Sequence, residues 1–308
     1  MGWGSLAQEW CGLPFGGRIA PPPSQVPLAV WIAPPALATA GVLAIVYTIA
    51  LHRVARQDPA AWRRRWAGWL GCVLLYAGVS GPLAVLAEGY LVTAHMIQMG
   101  LLVYGAAPTL VVGCPAAWWR AVWAHRVGRA VARRLTHPVV SLLLLGGVMA
   151  WVAWPPFLTL METAPLVHLA YHGACLVAGM AAWWPYASPL PERPAVHPGL
   201  QMLYATVSAL PMLLIFAPIA LDTAPFYPYY AHAPRVFGLS PVADQQLGAI
   251  TMLVGSHIPA AWLFVRGFQA WWRLERGPAD GLAGAASGAP PPADSLTPLL
   301  EAENTQSG

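Results

Sequence analysis

Seven apolar stretches set the terms for this chain. They fall near residues 30–51, 67–87, 89–113, 138–160, 165–186, 199–221 and 244–267. Each is close to the roughly 20 residues that carry a helix across a hydrocarbon core of about 30 Å. Lipid offers no water to the backbone, so a segment of this kind must satisfy its own N–H and C=O groups as a helix. The charged fraction is 9%, against roughly 25% in soluble domains, and the mean hydropathy is +0.55. The expected fold class is therefore all-α: a polytopic membrane helix bundle of about seven transmembrane helices, packed helix on helix. Pro34, Pro35, Pro155, Pro156, Pro211 and Pro218 fall within or near the spans. Membrane helices tolerate such residues where neighbours satisfy the freed backbone groups.

Arginine orients the bundle. The chain has no lysine, and 14 of its 16 basic residues lie in the 52–66, 114–137 and 187–198 loops or beyond 265. Only Arg18 and Arg235 fall on the other side. The positive-inside rule then predicts the N-terminus outside and the C-terminus in the cytoplasm. It also accounts for the net charge of +4 without a nucleic-acid partner. Residues 1–29 read as an extracytoplasmic segment lacking the basic-then-apolar pattern of a cleavable signal. Residues 30–270 read as the membrane domain, and 271–308 as a Gly/Ala/Pro-rich cytoplasmic tail expected to be disordered. Around 115–135, AAWWRAVWAHRVGRAVARRLT reads as an amphipathic interfacial helix. It either docks lipid or a partner, or serves only as an anchored connector.

Orientation gathers three histidines at the outer end. His95 lies in TAHMIQMGLL, and His168 and His172 lie in PLVHLAYHGACLV. With a rise of 1.5 Å per residue, they sit about 9, 5 and 10 Å into their spans. His168 and His172 are four apart, as are His95 and Met99, and such pairs share a helix face. Polar groups inside apolar spans mark functional sites. Imidazole with thioether suits copper, with methionine favouring Cu(I). Haem competes, because His95 and His172 could be axial ligands of a b-type haem. Zinc is less natural, since neither thiolate nor carboxylate is evident to complete a site. Asp244, which opens the last span in PVADQQLGAITM, reads as a helix cap or as a carboxylate that captures or orients at the mouth of the site. Gln245 and Gln246 assist in either case. Met252 could extend a thioether path but fits the core equally well.

Other chemistry has no motif here. Cys11, Cys72, Cys114 and Cys175 form no CxxC pair and read as small packing residues. P-loop, GxSxG and HExxH patterns are missing. Paired intramembrane carboxylates for acid/base work are also expected to be absent. The expectation is a protein that is not an enzyme.

Three runs in order carry a family resemblance: AHMIQMGLLVYGAAPTLVVGCP, PLVHLAYHGACLVAGMAAWWP and FYPYYAHAPRVFGLSPVADQQLGAITM. Together they resemble the signature of the CtaG-type cytochrome c oxidase assembly factors over residues 67–270. Membership implies a multi-pass protein of the bacterial inner membrane that delivers copper from the outer side to haem–copper oxidase subunits. Whether a periplasmic copper chaperone is the donor is left open by the sequence. The matched positions are His95, Met96 and Gln98, then His168 and His172, then Asp244, Gln245 and Gln246. Met99 stands where the family pattern often has a second histidine, and Ala249 where it has glycine. The expected metal ligands are His95, His168, His172 and Met99, supported by Asp244, Gln98, Gln245 and Met96. Copper uptake across the membrane and haem binding are the competing readings.

Overall fold

The computed structural model describes residues 14–15, 18–55 and 64–286, with side chains to residue 276. Among these residues the chain is helical, with no strand. Six helices are long and apolar enough to cross a membrane: Leu28–Val54, Arg65–Gly89, Val92–Gly113, Pro165–Ala187, Pro198–Leu221 and Pro241–Arg276. The helix Pro138–Ala153 brings the number of candidate spans to seven, bent by 77° from the preceding Arg126–Leu135. Single letters of sequence therefore suffice for the broad architecture, and the differences lie where helices break.

Two spans expected as continuous are interrupted near the same end of the bundle. The 138–160 segment is two helices, Pro138–Ala153 and Pro155–Thr163, separated at an extended Trp154. Pro155 and Pro156 carry no N–H to continue the ladder, and the residue before a proline is driven out of the helical region. The second span breaks at Ser80, which is extended, and restarts as Gly81–Gly89. Gly81 has φ +74°, a left-handed conformation that costs glycine nothing and other residues a Cβ clash. The two short segments that follow these breaks bury polar residues: Glu88 on the first and Glu162 on the second.

The third span is the centre of the bundle. It packs against the second, fifth and last spans, and the last span also lies along Pro198–Leu221. Just beyond Gly100 it loosens into a π-helical turn, Leu101–Ala106, a device frequent at functional sites. Trp183 Nε1 donates to the Val103 carbonyl within that turn at 2.9 Å. The last helix continues to Ala286, past the boundary at 271 where a tail was expected. The rest of that tail, residues 287–308, and most of the N-terminal segment lie outside the described residues.

Small residues let the spans approach closely, as membrane packing requires. A Cβ on Gly113 would stand 2.2 Å from the backbone nitrogen of Gly68 and 2.5 Å from its Cα. Tyr47 locks the same junction from the first span, donating its hydroxyl to the Gly113 carbonyl at 2.9 Å. Backbone atoms cannot yield as a flexible side chain can. Gly113→Ala is therefore expected to destabilise the protein by about 1–3 kcal/mol, the usual range for overpacking. A lowered thermal midpoint of the purified variant in detergent is the check, and an unchanged midpoint would contradict the packing described.

Candidate metal centre

The second span ends and the third begins at the end of the bundle where the fourth ends and the fifth begins. That arrangement brings five ionisable side chains together: Glu88, His95, Glu162, His168 and His172, each no more than 4% exposed. His95 comes from the first turn of Val92–Gly100 and His172 from the interior of Pro165–Ala187, while Glu88 and Glu162 come from the short segments after the two breaks. His168 lies in the first turn of Pro165–Ala187, one turn before His172. The two imidazoles meet edge to face, with ring centroids 4.3 Å apart.

Their donor atoms converge in two overlapping groups. Glu88, His168 and His172 each offer one ligand atom within 4.8 Å of the others, and so do Glu88, His95 and Glu162. Glu88 belongs to both, so it joins the two triads into one centre. His95 Nδ1 lies 3.4 Å from Glu162 Oε1, and His168 Nε2 lies 3.4 Å from Glu88 Oε1. Neither contact has the alignment of a hydrogen bond. Both oxygens of Glu88, both ring nitrogens of His95 and His168, His172 Nε2 and Glu162 Oε2 are buried without a hydrogen-bond partner. Buried polar groups in proteins are nearly always paired, and leaving so many orphaned in one small volume is costly. A bound cation satisfies lone pairs of this kind directly.

The carboxylates are the main departure from expectation. No paired intramembrane carboxylates are expected from the sequence, yet Glu88 and Glu162 sit face to face with the histidines. Both fell between expected spans, since the second was ended at 87 and the fourth at 160. The readable signal was that Glu88 and Glu162 are the only acidic residues between Asp58 and Glu192, each set in apolar sequence beside a Gly-Pro or Pro-Pro break.

Other residues singled out from the sequence occupy distinct positions. Gln98 is fully buried with both amide atoms unpartnered, one turn inward of His95. Met99 is also fully buried, but its sulfur lies 3.6 Å from Cys175 Sγ, pairing the two sulfurs against each other. Met96 and Met252 belong to the apolar core. Asp244 is fully buried and caps the helix that carries His95. Its Oδ2 accepts from Val92 N at 2.8 Å and its Oδ1 from Thr93 N at 3.0 Å. Thr93 Oγ1 completes the joint by donating to the Asp244 carbonyl at 2.9 Å.

A loop covers the centre. Gln245 accepts from Phe226 N at 2.7 Å and donates to the Ala224 carbonyl at 2.8 Å. Gln246 holds the Asp222 carbonyl at 2.9 Å. The short helix Pro228–Ala231 then presents two tyrosines. Tyr229 donates to the Glu88 carbonyl at 2.8 Å, and Tyr230 to the Ala87 carbonyl at 2.7 Å. The Tyr230 hydroxyl also lies 3.4 Å from Glu162 Oε1, so the loop is fastened to both carboxylate-bearing segments.

Fold and site together define a multi-pass membrane protein with a buried His–Glu centre near one end of its bundle. Residues 45–274 match the family of cytochrome c oxidase caa3 assembly factors, and the chain belongs to that family. Neither a curated protein nor a solved structure matches it.

Proposed function

We propose that this protein binds copper at the His–Glu centre and passes it to a haem–copper oxidase during assembly, acting as an assembly factor rather than a catalyst. The observation that carries the reading is the set of buried, unpartnered donor atoms on Glu88, His95, Glu162, His168 and His172. Imidazole nitrogen and carboxylate oxygen form a harder donor set than the His–Met site expected from sequence. They suit Cu(II) better than Cu(I), which prefers sulfur. The carboxylates also remove the argument that set zinc aside, so copper rests on the family's link to an oxidase. A bare ion is favoured over haem, because the donors crowd into one small volume rather than flanking a macrocycle.

The charge distribution supports placing the centre at the outer face of a bacterial inner membrane, where a periplasmic chaperone could load it. Asp244 fixes the start of the His95 helix, and the tyrosine loop shields the ion from water until a partner engages. The test is copper content and oxidase activity measured in the same strains for wild type, His95→Ala, His168→Ala and His172→Ala. Loss of bound copper with loss of oxidase activity is expected. Unchanged copper and unchanged activity in all three would defeat the proposal, and a Soret band in the purified protein would give the site to haem.

A further inference from the structure

The His–Glu centre spreads its donors too widely for a single ion to use them all. Nitrogen, oxygen and sulfur ligands of an ion such as zinc sit about 2.0–2.3 Å from it, which keeps any two of them within about 4.6 Å of each other. The five side chains do not meet that condition as one set. They meet it as two triads, Glu88 with His168 and His172, and Glu88 with His95 and Glu162. Among the described residues, no four His, Cys, Asp or Glu donors gather within 4.8 Å. An ion in the first triad would leave both ring nitrogens of His95 and Oε2 of Glu162 buried and unpartnered. An ion in the second would leave His168 and Nε2 of His172 in that state. Either remainder carries the cost of buried polar atoms with nothing to pair them.

Glu88 is common to the two triads, and both of its oxygens are buried without a hydrogen-bond partner. One oxygen is therefore available to each side. The sides come from different parts of the bundle. His168 and His172 stand one turn apart on Pro165–Ala187, with His168 Nε2 3.4 Å from Glu88 Oε1. His95 comes from the third span and Glu162 from the segment after Trp154, with His95 Nδ1 3.4 Å from Glu162 Oε1. Two-metal sites in proteins hold their ions about 3.5–4 Å apart, and helix bundles build such sites from carboxylates and histidines on facing helices. Two Cu(II) ions carry more charge than Glu88 and Glu162 neutralise. Water entering with the ions meets part of that excess by losing a proton, because a bound cation lowers the pKa of its water.

Building on the reading of this centre as a copper site, we propose that it seats two metal ions, one on His168 and His172 and one on His95 and Glu162, joined by the Glu88 carboxylate. The full-length protein, purified in detergent and stripped of metal, is loaded with excess Cu(II) and washed with a weak chelator. Elemental analysis then counts copper per chain, and electron paramagnetic resonance counts unpaired spins. Wild type is expected to hold about two copper ions per chain, close enough to interact as in other two-metal sites. The interaction shows as lost spin intensity or as a half-field line. His95→Ala and the His168→Ala/His172→Ala double variant should each keep half of the wild-type copper, with a spin count equal to the copper and no half-field line. One copper per chain in wild type would overturn the pair and leave the copper reading standing, whereas none would defeat both. Two copper ions without spin–spin interaction would overturn the shared carboxylate. Wild-type copper content retained in either variant would place the ions elsewhere in the chain, and would equally overturn the proposal. The wild-type measurements decide the matter even where a variant fails to fold.

Discussion

Glu88→Gln and Glu162→Gln are each expected to weaken copper retention by about 100-fold or more while leaving the metal-free protein as stable as wild type, or more stable. The two halves of this result have one physical origin. Without an ion, a buried carboxylate with at least one oxygen that accepts no hydrogen bond carries a desolvation penalty with little return, and a neutral isostere relieves it. With an ion, the same carboxylate supplies charge and a lone pair in a low-dielectric setting, where both are strong. Loss of even an outer-sphere partner typically costs 10- to 100-fold in metal affinity, so a direct ligand should cost at least as much. Glu88 should show the larger effect, because it alone belongs to both donor groups. Competition against a chelator of known affinity reads the first half, and thermal unfolding of the metal-free protein reads the second. A drop in metal-free stability with undiminished copper binding would make the carboxylates structural.

Asp244→Ala should behave in the opposite way. Its carboxylate satisfies Val92 N and Thr93 N, two N–H groups at the start of the helix that carries His95. In a water-free setting those groups have no substitute acceptor. The loss should cost on the order of 2–4 kcal/mol, combining a lost helix cap with buried unsatisfied donors. Asp244→Asn keeps one acceptor oxygen and should fall between wild type and Ala. Copper bound per folded molecule should stay at the wild-type level in both variants, because the carboxylate is spent on backbone rather than on the centre. Measuring the unfolding midpoint and the copper stoichiometry on the same preparations separates the two roles. Undisturbed stability with lost copper would return Asp244 to the metal site.

The bundle was legible because its strongest signal is composition summed over about twenty residues at a time, and that sum is insensitive to detail. The histidines were legible for the same reason, since helix rise converts sequence position into depth. Their convergence was not, because it depends on which spans touch, and the packing of the third span against the second, fifth and last leaves no local trace. Glu88 and Glu162 were missed at the breaks. A window that averages hydropathy places a span's end near the first charge, so the residues most expensive to bury were assigned to loops. Gly81-Pro82 and Pro155-Pro156 announced the breaks, but only tertiary packing turns the segments that follow them inward. Met99 illustrates the converse. Its spacing from His95 is right for a shared ligand face, yet its sulfur lies against Cys175. Asp244 read correctly as a residue at the start of a helix, while the helix that it caps is the neighbouring one.

The central claim is that copper is held by imidazole and carboxylate groups of one buried centre. X-ray absorption at the copper edge, on the purified protein loaded with Cu(II), tests it most directly. The account predicts a nitrogen and oxygen shell with the outer-shell scattering of imidazole, no sulfur shell, and a weakened imidazole signal in His168→Ala/His172→Ala, where only His95 remains. A shell dominated by sulfur, or a spectrum unchanged in that double variant, would contradict it.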